Sequence, residues 1–238
     1  MKVNITRQNL SIYINESSKN NLKQQKEFYL FGDILVLVKD QVPHFIDLGE
    51  CLNIIEKVIP KHLVYGLDSI FIGDFPEFKK QQINAFYRDG AIYVSNDLET
   101  DEDFIDDVIH EIAHLIESNY GSLIYEDQEI AREFLGKRQR LFYLLREEGY
   151  KVDPKDFLNI DYSYEFDMFL LNDVGYPLLT QLTVGLFLSP YGITSLREYF
   201  AESFECYFMR DPAAVKNISP MCYEKIKKLL ELDDEWSN

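Results

Sequence analysis

His110-Glu111-Ile112-Ala113-His114 is the stretch of this chain whose residue types and spacing carry chemistry. On a helix, two histidines four apart lie one turn apart on the same face, so their imidazoles can converge on one ion. Neutral imidazole nitrogen suits Zn²⁺, and a catalytic zinc keeps three protein ligands with water in the fourth position. Glu111, beside the first histidine, is expected to reach that water and take its proton as it attacks a carbonyl. The competing reading is a helix with two structural or solvated histidines. At about 100° per residue, Phe104, Ile105, Val108, Ile109, Ile112, Leu115 and Ile116 form one broad apolar face. His110 and His114 fall opposite, beside Asp103, Asp106, Asp107 and Glu117, so they are not expected in the apolar core. Half of the four histidines in the chain sit in this pentad, which favours a shared role. One of the four neighbouring acids is expected to orient a zinc-bound imidazole, and spacing does not choose among them. Asp101, Glu102 and Asp103 suit a first helical turn, where carboxylates favour the positive end of the dipole.

A third ligand must come from elsewhere. His44 and His62 lie upstream and are expected at the ends of elements. Downstream, the run from Tyr191 to Glu205 opens a helix with Glu198, Glu202 and Glu205 on one face, so any of the three can point into a cleft. Ser195-Leu-Arg-Glu198 is also a capping box, which offers Glu198 a purely structural use. Tyr191, a neutral phenol at neutral pH, is suited to donate to a carbonyl oxygen that gains charge.

These pieces resemble the anthrax lethal factor-like metallopeptidases, a zincin family that includes the Pro-Pro endopeptidases. The resemblance rests on His110-Glu-Ile-Ala-His114, on Tyr191-Gly192 and on Glu198-Tyr-Phe-Ala-Glu202-Ser-Phe204, with the Tyr seven residues before the first Glu. Asn217-Ile-Ser-Pro220-Met-Cys-Tyr223 is similar to the start of the family's last helix. Together they cover roughly the C-terminal two-thirds of the chain. The resemblance implies Glu198 as third zinc ligand, Tyr191 as donor to the oxyanion or the departing amine, and Glu202 as support behind the ligands. The stretch between His114 and Glu198 is longer than the family's. It implies a helical insertion around 120–188 that can wall or lid the cleft. Within it, Tyr162-Ser-Tyr-Glu-Phe-Asp-Met-Phe169 is expected mainly to pack in the core, with pocket lining as the alternative.

The elements that must position these residues are legible in outline. The chain has 238 residues, 46% hydrophobic and 27% charged, enough for one sizeable core. Residues 1–26 read as a polar lead-in and 27–238 as a single domain. Ile34 to Val38 reads as a buried strand, Leu48 to Ile59 as a helix stopped by Pro60, and Asp68 to Gly73 as a second strand. Ala85-Phe-Tyr-Arg and Ala91-Ile-Tyr-Val-Ser flank Asp89-Gly90 as a hairpin. A helix starts at Thr100, and further helices are expected near 126–148, 155–188 in pieces, 195–210 and 220–232. The class is α+β and zincin-like: a small mixed sheet, the active-site helix, then a mainly helical C-terminal half. In that architecture the strand Ala91 to Ser95 is expected along the cleft edge, pairing with extended substrate.

Composition narrows the functions. A formal charge of −17 argues against nucleic acid and against anionic membrane as partners, and leaves basic peptides as electrostatically favoured. Three widely spaced cysteines imply no disulfide framework, and the N-terminus lacks the apolar core of a secretory signal. The expected location is therefore cytoplasmic, or outside by a non-classical route, with no transmembrane segment. The leading function is a zinc-dependent endopeptidase acting on peptide or protein. The alternatives are a catalytically weak zincin-like binding or effector domain and a metal-dependent amidase acting on a non-peptide bond.

Overall fold

Five short strands build one mixed sheet, and the buried residues of its three inner strands are mainly Ile and Val. In chain order the strands are β1 (Lys26–Leu30), β2 (Ile34–Val38), β3 (Ser69–Ile72), β4 (Ala85–Arg88) and β5 (Ala91–Val94). The computed structural model describes residues 26–81 and 83–232. The lead-in expected over residues 1–26 lies outside them, except for Lys26, which opens β1. Spatially the order is β1-β2-β3-β5-β4. β2, β3 and β5 run parallel, while β1 and β4 pair antiparallel with β2 and β5. Asp89 and Gly90 make the predicted two-residue hairpin turn, with φ of 50° and 82°, the left-handed pair that matches strand twist.

That hairpin corrects one expectation. β5 lies between β3 and β4, with both ladders occupied, so the strand Ala91 to Ser95 is not at the sheet edge. Ala91, Ile92 and Val94 are buried and need cover on both sides. β4, only partly buried and ending in exposed Arg88, tolerates the outer position and forms the edge.

The helices cover the sheet and then one another. They are α1 (Leu48–Val58), α2 (Pro76–Gln81), α3 (Asp101–Tyr125), α4 (Glu129–Glu147), α5 (Pro154–Leu158), α6 (Tyr164–Met168), α7 (Tyr176–Leu182), α8 (Leu196–Met209), α9 (Pro212–Ile218) and α10 (Pro220–Glu231). A π-helical turn, Phe169–Val174, links α6 to α7. α3 starts with a reciprocal capping box between Thr100 and Asp103. Its apolar face meets β4, β5 and α1, while α8 packs on it as well. Hence the polar side of α3 is largely covered: Glu111 and Glu117 are both buried. At Tyr120 the backbone leaves helical values and α3 bends just past the histidines.

The helical segment expected around 120–188 is present as the end of α3 followed by α4 to α7. Arg138 holds it together. It is 1% exposed, donates to the Asn159 and Asp156 carbonyls and stacks over Phe166 with 4.3 Å between guanidinium and ring. The aromatic run from Tyr162 splits: Phe166 is buried among apolar residues, whereas Tyr162 and Tyr164 remain about half exposed. Core packing, expected for the run, therefore holds for only part of it. Among the described residues no helix is long and apolar enough to cross a membrane. Cys51, Cys206 and Cys222 are buried and unpaired.

Candidate metal centre

α3 brings His110 and His114 to one face, and the first turn of α8 brings Glu198 against them. Glu198 Oε2 lies 2.9 Å from His110 Nε2 and 3.6 Å from His114 Nε2. Ligands held at about 2.0–2.2 Å on a tetrahedral ion are separated by about 3.3 Å, a value these two distances bracket. The donor set, two imidazoles and a carboxylate, is also the one a catalytic zinc takes. The capping alternative for Glu198 is half realised. Ser195 Oγ accepts the Glu198 backbone N–H at 3.2 Å, but the carboxylate turns to the imidazoles instead of the cap. One ligand atom from each of His110, Glu111 and His114 also falls within 4.8 Å of the others.

The electrostatics describe a place that asks for positive charge. Burial opposes charge on His110, yet hydrogen bonds to Glu198 and Glu205 outweigh it and raise the imidazole well above its ordinary value. For His114, Glu117 and Glu198 overcome burial and push it up to about 9. Burial likewise opposes the Glu198 carboxylate, but the two imidazoles hold it far below the usual carboxylate range. A divalent cation bound there would take over the positive charge otherwise carried on the rings.

Behind the rings the structure chooses among the acids. Glu117 Oε2 stands 2.6 Å from His114 Nδ1 and accepts from Arg197 Nε at 3.2 Å, while the Tyr125 hydroxyl donates to Oε1 of the same carboxylate. Such a carboxylate fixes the ring's tautomer and orientation. On His110, Glu205 Oε2 is 3.6 Å from Nδ1. Glu202, which the resemblance put behind the ligands, lies beside this pair: a donor atom of each of His110, Glu202 and Glu205 is within 4.8 Å of the others. Arg210 bridges Glu205 and Asp106 from outside, at 3.0 and 3.6 Å. Sequence reading missed Tyr125, Arg197 and Arg210. The three-residue spacing of Glu117 from His114 was a signal for Glu117 that helix geometry alone could have ranked first.

Glu111 is 7% exposed, and burial raises its carboxyl, with the two histidines and the Tyr87 backbone amide of edge strand β4 pulling the other way. Its affinity for a proton is thus higher than that of a free carboxylate, the direction that suits a general base. Tyr191 comes from a single 3-10 turn, Tyr191–Ile193, and its ring centre is 6.1 Å from that of His110. Burial raises its phenol above the usual value, so it stays protonated and can donate. A Cβ at Gly192 would meet Glu202 Cγ at 3.4 Å, an ordinary van der Waals contact, so this turn packs against α8.

These groups open into a cavity of about 440 Å³. His110, Glu111, Asp107 and Glu202 line one side, Tyr162, Tyr164, Tyr176 and Tyr191 the other, with Asn84 and Ala85 leading to the β4 edge. Burial pushes Asp107 up to about 7, with further repulsion from Glu111. Burial also raises Glu202, with Glu205 adding to it. A second groove of about 850 Å³ shares Ile83 and Asn84 with this cavity as lining residues, next to the start of β4.

Compared with known proteins, the chain matches no family model, no curated protein and no solved structure.

Proposed function

We propose that this protein is a zinc-dependent endopeptidase of the lethal factor-like kind, with His110, His114 and Glu198 as ligands. The observation that carries the reading is one carboxylate oxygen, Glu198 Oε2, lying between the Nε2 atoms of His110 and His114 with buried Glu111 alongside. When bound, Zn²⁺ supplies a Lewis acid for the peptide carbonyl and makes water acidic enough to attack near neutral pH. The chain's own residues do the rest. Glu111 takes the proton of the attacking water and passes it to the amine that leaves. The Tyr191 hydroxyl, still protonated, donates to the carbonyl oxygen as its charge grows. Glu117, braced by Arg197 and Tyr125, keeps His114 turned so that Nε2 faces Glu198.

The edge strand supports an extended substrate. Ser95 donates its N–H to the Asn84 carbonyl, so residue 84 faces inward, and by alternation Ala85 and Tyr87 present backbone groups to the open side. A peptide laid antiparallel along β4 would meet the outward backbone groups of Ala85 beside the cavity, while the Tyr87 amide is already given to the Glu111 carboxylate. A second groove that adjoins the cavity at Ile83 and Asn84 favours cleavage within a chain over removal of end residues. A mixed sheet with an antiparallel edge strand beside the histidine helix supports the zincin-like reading of the fold.

The test is cleavage-site profiling of a proteome-derived peptide library with zinc-loaded protein, beside Glu111→Gln. The expected result is defined cleavage by the wild type and a loss on the order of 10²–10⁴-fold in the variant, with zinc retained. Undiminished cleavage by the variant would refute the assignment.

A further inference from the structure

We infer that the tyrosine-walled cavity beside His110 is a subsite for a cationic side chain, Lys or Arg, of the peptide substrate. The inference rests on the peptidase reading and names the substrate class for that same site. Three observations carry it.

First, the space is real and is reached from the reacting centre: His110, Glu111 and Tyr191 line a cavity of about 440 Å³, within the size range of ligand sites. Any peptide whose scissile bond lies at Glu111 must place a neighbouring side chain there or leave it to water.

Second, its walls suit a long amphipathic side chain rather than a small or purely polar one. Tyr162 and Tyr164, about half exposed at the rim, join Met168 and Leu171 in offering aromatic and aliphatic surface. Such surface takes the methylene stem of Lys or Arg, and the ring faces attract its charged head.

Third, the charges are one-sided. Arg210 engages Asp106 and Glu205 from its exposed position. Asp107 makes no hydrogen bond or ion pair among the described residues, and Asp167 accepts only the Tyr162 hydroxyl at 2.8 Å. Among the described residues, the sole cation-capable one lining the cavity is His110, whose ring is given over to Glu198 and Glu205. A cationic side chain would meet unpaired acids and a neutral one would leave them facing one another. An acidic one would be repelled.

The experiment uses full-length, zinc-loaded Glu111→Gln protein and fluorescent peptides that differ at a single position, scanned across the sequence: Lys, Arg, Ala or Glu. Binding is read by anisotropy, and cleavage of the same peptides by wild type is read in parallel. At one position the Lys and Arg peptides are expected to bind on the order of tenfold tighter than Ala, with Glu weaker still. That ratio should fall toward unity in Asp107→Asn/Asp167→Asn. Tyr164→Lys, at an exposed rim position that leaves the interior intact, should lower Lys binding and raise Glu binding. Because each ratio is taken within one protein, a general loss of folded material cancels. Equal binding of Lys, Ala and Glu peptides at every position overturns the inference, whether or not the wild type cleaves them. A retained cationic preference with no cleavage by wild type sustains it and removes the peptidase reading instead.

Discussion

Replacing Asp107 with Asn is expected to stabilise the metal-free protein, and only above mildly acidic pH. Asp107 lies on α3 one turn before Glu111, and burial raises its carboxyl from 3.8 to about 7. Glu111, Asp103 and Asp106 add repulsion, and His110 opposes them. A carboxyl with a raised folded pKa favours the fold fully below its unfolded value and loses that contribution as pH climbs through the folded one. Between about pH 4 and 7 the native state therefore holds a proton that the unfolded chain releases. At about 1.4 kcal/mol per pH unit, this one group costs about 4 kcal/mol of stability by pH 7. Asn keeps the shape without the charge. Thermal melts in chelator should coincide for the two proteins near pH 4 and separate progressively, reaching a Tm advantage for the variant on the order of 10 °C at about pH 8. Zinc should narrow the gap, because a nearby dication favours the ionised carboxylate. A gap that does not change with pH, or no gap at about pH 8, would refute the reasoning, since the carboxyl would then ionise freely in the cleft. The expected trade is of a familiar sort: a desolvated acid that weakens the fold and serves the site.

Dialysed Glu198→Ala should lose bound zinc, measured by atomic emission, while Glu202→Ala retains it; the reverse would move the third ligand to Glu202. Zinc at about one hundred times its Kd should add about 2.7 kcal/mol to wild-type stability, since only the folded chain brings His110, His114 and Glu198 together, and calorimetry on Glu198→Ala should show most of that gain gone. Arg138→Met should cost about 3 kcal/mol in denaturant unfolding, because the Asn159 and Asp156 carbonyls lose a buried donor. A loss well under about 1 kcal/mol would mean that water satisfies those carbonyls.

What the sequence determined by itself was local. Two histidines and a glutamate on one helix, the Thr100 cap and the Asp89-Gly90 turn follow from relations within a few residues, where helical periodicity and turn chemistry act directly. The buried strands and the helices of the C-terminal half follow for the same reason. Weaker local signals were lost: β1 opens with exposed Lys26 and Glu27, and α2 and α9 are too short to show a period. Tertiary structure decided everything that depends on two distant elements meeting. Glu198 is 88 residues from His110, and the meeting of its carboxylate with both imidazoles reflects how α8 docks on α3. Glu117 is within local reach of His114 by its three-residue spacing, and the fold adds Arg197 and Tyr125 to hold its carboxylate in place. The covering of α3's polar face, the edge position of β4 and the turning of Tyr162 and Tyr164 into a cavity wall were decided the same way. Side-chain pattern states which faces are apolar, but not which polar face will find a partner. That depends on the sum of contacts across the assembled chain, where an acid and an imidazole far apart in sequence stabilise one another only once the fold has brought them together.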